Sequence, residues 1–281
     1  MAIGDSTRIN TNIAAFNALN ALKAINRNLE RTQLKLATGR RINEVADDPA
    51  GFVISTRLRA RIRGLAVAYD NVGTAKNVMA IAEGGLLNIS DILITIKEKV
   101  TQAASDTLGV AERNAIKTEI NQLTAEIDDI VAETLFNQIP LIDGTYTNVS
   151  IQSGEESTNT LVFSISQNHT ATGLSVASAD VANNVVSSAS AAVALTNVNA
   201  ALDLVSNSLQ EIGAKVARLG VKESTLSIAI TNTEATKGRI LDADIAKEQL
   251  ESTRLQILQQ TATAQLAQAN ILPQNVLALF Q

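Results

Sequence analysis

Chemistry in a protein starts from polar side chains that converge, and this sequence offers few such sets. Its single histidine is His169 and it has no cysteine, which excludes thiol catalysis, disulfides and any metal site needing two imidazoles. Ser/His/Asp catalysis would hang on His169 alone, inside the most polar tract of the chain, where a mobile surface segment is expected. Asp47-Asp48 and Asp242/Asp244 are tight carboxylate groups near glycines. A calcium loop needs D-x-D-x-D-G spacing, which neither group has, so both read as helix caps and turns. No Gly-rich phosphate loop follows a strand.

Arg57, Arg59, Arg61 and Arg63 form a basic ladder. On a helix, 57 and 61 share one face while 59 and 63 lie about 200° away, so both sides carry charge. Nucleic acid binding is the tempting reading, but the pI is near 5.1 and aromatics make up only 2%. Pairing with carboxylates on neighbouring helices is the expectation instead. Charge is unevenly spread: no Lys or Arg occurs from Thr118 to Ala214, whereas residues 1–63 carry eleven Lys/Arg and five Asp/Glu.

The elements that must position these residues are written in the apolar pattern. Hydrophobic residues make up 46% of the 281, dominated by small alanines rather than bulky core fillers. Three prolines (Pro49, Pro140 and Pro273) leave two long Pro-free windows, as long helices require. Four stretches then place apolar residues at alternating three- and four-residue steps, the seam of helices packed side by side. The first is Leu86, Ile89, Leu93, Ile96, Val100 and Ala103; the second is Ile116, Ile120, Leu123, Ile127 and Ile130. The third runs through Leu195, Val198, Leu202, Val205, Leu209, Ile212, Val216 and Leu219. The last is Leu255, Leu258, Ala262, Gln265, Ala269, Leu272, Val276 and Leu279.

The N-terminal arm, Ser6 to Ala37, is also helical in pattern through Ile9, Ile13, Phe16, Leu22, Ile25, Leu29 and Leu36. Gly39 breaks it, and Asp48-Pro49 reads as an N-cap followed by proline at the first helical position. Gly84-Gly85 is expected to weaken the helix that follows, and Asp106 to Gly109 to turn the chain before the second seam. After Pro140 the pattern changes: nearly half of residues 145–190 are Ser, Thr or Asn. Val149 and Ile151 alternate with polar residues, Ser153 to Glu156 supplies a turn, and Leu161, Phe163 and Ile165 alternate again, a β-hairpin signal. Residues 168–190 fit strand, loop or disorder equally. The fold class is therefore mostly α: long antiparallel helical rods with coiled-coil seams pairing the N- and C-terminal arms, with a small β-hairpin region at the distal end.

No run of eighteen apolar residues suggests a bilayer span, and Met1 to Asn12 lacks the apolar stretch and cleavage site of a secretory signal. The terminal arms, about forty residues each, bury too few large side chains as one helix pair to offset their ordering entropy. They are expected to fold only when other copies of the chain add surface.

Several ordered motifs at both ends resemble bacterial flagellins. Ile9-Asn10-Thr11-Asn12 opens the chain, and Thr38-Gly39-Arg40-Arg41-Ile42-Asn43 leads into Ala46-Asp47-Asp48-Pro49-Ala50-Gly51, similar to the S-G-x-R-I-N and A-D-D-A-A-G of that family. At the other end Arg239-Ile240-Leu241-Asp242-Ala243-Asp244 is similar to R-I-x-D-A-D. Ile257-Leu258-Gln259-Gln260, Leu266-Ala267-Gln268-Ala269-Asn270 and Pro273-Gln274-Asn275-Val276-Leu277 resemble the family's tail.

The resemblance implies domain D0, a coiled coil forming the filament's inner core, over 1–44 and 240–281. It implies domain D1, a helical rod, over 45–144 and 191–239, with 145–190 as its hairpin and polar loop and no outer domains. D0 residues Ile9, Ile13, Phe16, Leu22, Ile25, Leu29, Leu255, Leu258, Ala262, Ala269, Leu272, Val276 and Leu279 become subunit-packing residues. Gly39, Arg40, Arg41, Ile42, Asn43, Asp47 and Asp48 become the link between shells, where small shifts switch protofilament state. Arg57, Arg59, Arg61 and Arg63 become candidates for ion pairs between subunits. The function implied is a non-enzymatic subunit that self-polymerises into the motile filament and needs no cofactor.

The partners implied are a flagellar export chaperone, the type III export apparatus, and hook-associated and cap proteins, with no nucleic acid and no membrane. Its place is secreted, extracellular on the filament, or periplasmic if of the spirochaete type. Thr95 and Lys99 stand where receptor-sensed relatives carry an arginine and a leucine, although Glu119 matches a receptor-contacting glutamate. Weak or absent recognition by the innate immune receptor is implied. A hook–filament junction protein shares the terminal helices and is the nearest alternative; a secreted effector or enzyme would need a polar constellation that 145–190 does not offer.

Overall fold

The computed structural model describes residues 11–278, with side-chain surroundings from 11 to 271. Five helices carry the chain: α1 (Ile13–Thr38), α2 (Pro49–Ala103), α3 (Val110–Glu133), α4 (Ser188–Leu241) and α5 (Ile245–Ala278). Four short strands lie between α3 and α4: β1 (Leu135–Phe136), β2 (Ile139–Pro140), β3 (Val149–Gln152) and β4 (Thr160–Phe163). The molecule is mostly helical, with two small two-stranded antiparallel sheets. It divides into two compact units, one of residues 1–60 with 232–281 and one of residues 61–231.

The larger unit is organised by a seam on α2 longer than the sequence pattern suggested. Leu65, Ala68, Val72, Ala75, Met79, Ala82, Leu86, Ile89, Leu93, Ile96, Val100 and Ala103 alternate in steps of three and four, and all are buried. The first half was inconspicuous because alanines fill many of its positions. Against it pack Ile116, Ile120 and Ile127 of α3, with Leu123 and Ile130 half-buried beside them. On α4, Val198, Val205, Ile212 and Leu219 are fully buried, while Leu195, Leu202, Leu209 and Val216 rest half-buried on the same core. Both α2 and α4 are long and apolar enough, by length and composition alone, to cross a bilayer, contrary to the expectation that no stretch would be. The buried seam accounts for part of that apolar character: 39% of the α2 window and 28% of the α4 window are buried.

Gly84-Gly85 does not interrupt α2. Gly85 is there for close approach: a Cβ added to it would lie 2.6 Å from Thr134 Oγ1. The second hairpin forms as its alternation predicts, with Val149 opposite Phe163 and Ile151 opposite Leu161. The first, β1–β2, closes over Asn137 and Gln138, both at positive φ (51° and 66°).

Residues 168–187 are a packed cap of turns. Ala171, Leu174, Val176, Val181, Ala182 and Val185 are all buried in the core of the larger unit. Asp128 of α3 accepts the Ala171 amide at 2.8 Å, and the Asn197 side chain of α4 donates to the Asp180 carbonyl at 3.3 Å.

In the smaller unit α1 pairs with α5. Helix α1 starts at Ile13, where the Asn12 side chain caps it by accepting the Ala15 amide at 3.0 Å; Ser6, the expected start, lies outside the described residues. Gly39 ends it in the left-handed conformation (φ 68°).

Candidate assembly surfaces

The α1–α5 seam is thin. Leu29 and Thr32 of α1 and Ser252, Leu255, Ala262 and Ala269 of α5 are buried, with Leu22 and Ile25 half-buried. Hydrogen bonds fix the register: Asn12 Nδ2 donates to the Ala269 carbonyl at 2.8 Å and Gln259 Nε2 to Asn26 Oδ1 at 2.9 Å. Leu258 and Gln265 face away from this seam; Gln259 and Leu266 take their place along it. The outer faces are left apolar, with Phe16 65%, Ile257 59% and Leu250 74% exposed, and Ile13 and Leu258 also open. Ile9 and Leu279 lie outside the described residues, as do the side chains of Leu272 and Val276.

The link after α1 is a clamp. Arg40 bridges to Asp242, the Arg41 amide donates to the Leu241 carbonyl at 2.6 Å, and the Ala243 amide donates to Gly39 at 2.9 Å. Arg41 Nη2 adds a bond to the Ile240 carbonyl at 2.8 Å, and Asn43 Nδ2 one to the Arg40 carbonyl at 3.0 Å. Asp47 Oδ2 accepts the amides of Asn43 and Glu44, which holds its carboxyl below the usual carboxylate range. Asp48 caps α2 through the Gly51 amide at 2.9 Å, and Asp244 caps α5 through the Lys247 amide at 3.2 Å. Ile42 is buried against Gly51, whose Cβ would lie 2.7 Å from the Ile42 Cδ1. The two carboxylate groups are thus capping and turn residues, and no acidic or imidazole cluster able to hold a metal occurs among the described residues.

The arginine ladder is split in use. Arg61 Nε pairs with Glu155 Oε1 at 2.9 Å, an acceptor in the β3–β4 turn rather than on a helix. Arg57, Arg59 and Arg63 are exposed and make no ion pair among the described residues.

His169 is the residue that sequence reasoning placed worst. It is fully buried rather than on a mobile surface. Its Nδ1 faces the Ile142 carbonyl at 3.1 Å and its Nε2 faces Ser208 Oγ at 2.9 Å. A carbonyl only accepts, so Nδ1 carries the proton and Nε2 accepts from the Ser208 hydroxyl. The ring ties the polar insert to α4, and burial holds its pKa below the ordinary value. No carboxylate orients it, as a catalytic base would need. Nothing in the local sequence marks it: Ala171, Leu174 and Val176 follow interspersed among Thr, Gly and Ser.

Comparison with known proteins agrees with this arrangement. Residues 9–147 match the family described as the bacterial flagellin N-terminal helical region, and residues 195–280 match its C-terminal helical region. The flagellin of Bacillus subtilis is 34% identical, over 98% of this chain and 100% of its own. Flagellin FlaB2 of Treponema pallidum is 31% identical, over 97% of this chain and 99% of its own. A solved structure from Vibrio parahaemolyticus, assigned as flagellar hook-associated, shares the fold at a TM-score of 0.58 and 17% identity, covering 70% of this chain and all of that one.

Proposed function

Because the chain belongs to the bacterial flagellin family, a structural and non-enzymatic subunit of the flagellar filament, we propose that its copies join through the outward faces of the α1–α5 pair. The observation that carries this is the apolar outer surface of that pair: a two-helix unit that exposes Phe16, Leu250 and Ile257 has more apolar surface than it can cover itself. Residues 1–44 with 240–281 form the inner shell (D0) and 45–144 with 191–239 the next (D1), the clamp around Gly39–Asp48 joining them. Half-buried Leu202, Leu209 and Val216 complete the D1 seam.

Addition of the purified full-length chain to sheared filament seeds tests the interface. Wild type elongates the seeds. Phe16→Asp with Leu258→Asp, both on exposed faces, stops elongation without changing the helical content of the free chain. Elongation by that variant at the wild-type rate would contradict the assignment.

The same reading gives the chain an uncleaved passage through the flagellar type III apparatus with an export chaperone, and hook-associated and cap proteins at the ends of the polymer. We place the filament outside the cell; a periplasmic place follows if the source is a spirochaete. Innate immune recognition is weak or absent in this reading, because Thr95 and Lys99 occupy the positions of the arginine and leucine, and Lys99 pairs with Glu119 and ties up that carboxylate. A receptor reporter assay at full potency would overturn it.

A further inference from the structure

Arg59 and Arg63 stand four residues apart on α2, exposed, and neither meets a counter-charge among the described residues. Like charges at this spacing repel along one helix face. On the other face of the ladder Arg61 is answered within the chain by Glu155, which leaves Arg57 there without a neighbouring like charge that is itself unpaired. Helix α3 carries the opposite sign at matching spacing. Glu126, Asp129 and Glu133 recur along one face, all exposed and unpaired among the described residues. No Lys or Arg lies between Thr118 and Ala214 to neutralise them locally. Asp129 and Glu133, like Arg59 and Arg63, are four residues apart.

One molecule therefore carries two self-repelling charge pairs of opposite sign and equal pitch. An open helical polymer needs such a pairing of different patches, since a contact between like patches closes into a dimer. Resting on the filament reading above, we propose that Arg59 and Arg63 of one copy dock against the Glu126–Asp129–Glu133 face of α3 in a second copy. Each pair then relieves the repulsion of the other. The contact steers the encounter and fixes register, and like other exposed charge pairs it weakens with salt.

The test measures the critical concentration for polymerisation of the full-length chain at low salt. Arg59→Glu/Arg63→Glu raises it by about tenfold, and so does Asp129→Lys/Glu133→Lys, because each sets like charges face to face. The chain carrying all four exchanges polymerises with itself to within about threefold of wild type. Arg59→Gln/Arg63→Gln, which removes charge without reversing it, gives a smaller rise and flattens the salt dependence. Circular dichroism of each soluble variant verifies that the monomer is unchanged. Doubles that polymerise like wild type, or a fourfold exchange no better than the doubles, overturn the pairing; the latter is the result if the arginines serve a nucleic acid or other polyanion. Failure of the wild-type chain to polymerise at all overturns the filament reading instead.

Discussion

His169 is fully buried, holding the Ile142 carbonyl on one side in a buried bond and the half-buried Ser208 hydroxyl on the other. Burial disfavours its charged form, so the folded chain refuses a proton that the unfolded chain accepts near pH 6.5. The sign follows: the unfolded state binds more protons as pH falls below that value, so stability is full above pH 6.5. It declines as pH drops toward the depressed folded pKa. Thermal melts between pH 8 and pH 5 show this decline in wild type. His169→Leu loses the two ring hydrogen bonds, is less stable at pH 8 by about 0.5–1.5 kcal/mol for each, and has a flatter profile over that interval. A wild-type melting temperature that does not fall through that interval would contradict the assignment. At this scale the caps were legible, because Asp48-Pro49 and Gly39 act through local backbone geometry. The place of His169 was not legible, because what surrounds it comes from residues some 27 and 39 positions away.

Among the elements, those set by a repeating local rule could be read from the sequence. The seams from Leu86, Ile116 and Leu195 lie on α2, α3 and α4 as their periods require, and the Val149/Phe163 hairpin pairs in the register its alternation implies. The rule failed wherever burial is not periodic. Residues 168–187 supply Leu174, Val176, Val181 and Val185 to the core from successive turns, each facing inward for its own reason, so no period marks them. Gly85 misled in the opposite direction: its helix penalty is real, but contact with Thr134 leaves no room for a Cβ. On α5 the expected Leu255, Ala262 and Ala269 are buried, and only the positions between them shift by one. Leu258 and Gln265 gave way to Gln259 and Leu266, because Gln259 bonds to Asn26 across the pair.

Across the whole molecule, the two units differ in how they are held. The larger one surrounds a continuous core drawn from α2, α3, α4 and the insert. The smaller one relies on a few leucines, alanines and small polar residues between two helices, and among its described residues few large apolar side chains are fully buried. A helix pair so thinly packed does not offset the conformational entropy of ordering it, whereas neighbouring copies supply the missing burial. We infer that folding of the arms and polymerisation are one event. Amide hydrogen exchange along α1 and α5, compared between dilute monomer and filament, tests this most directly. The account predicts near-complete exchange in the monomer within seconds and strong protection in the filament, with the α2–α4 core protected in both. Arms protected in the dilute monomer as well as that core would contradict it.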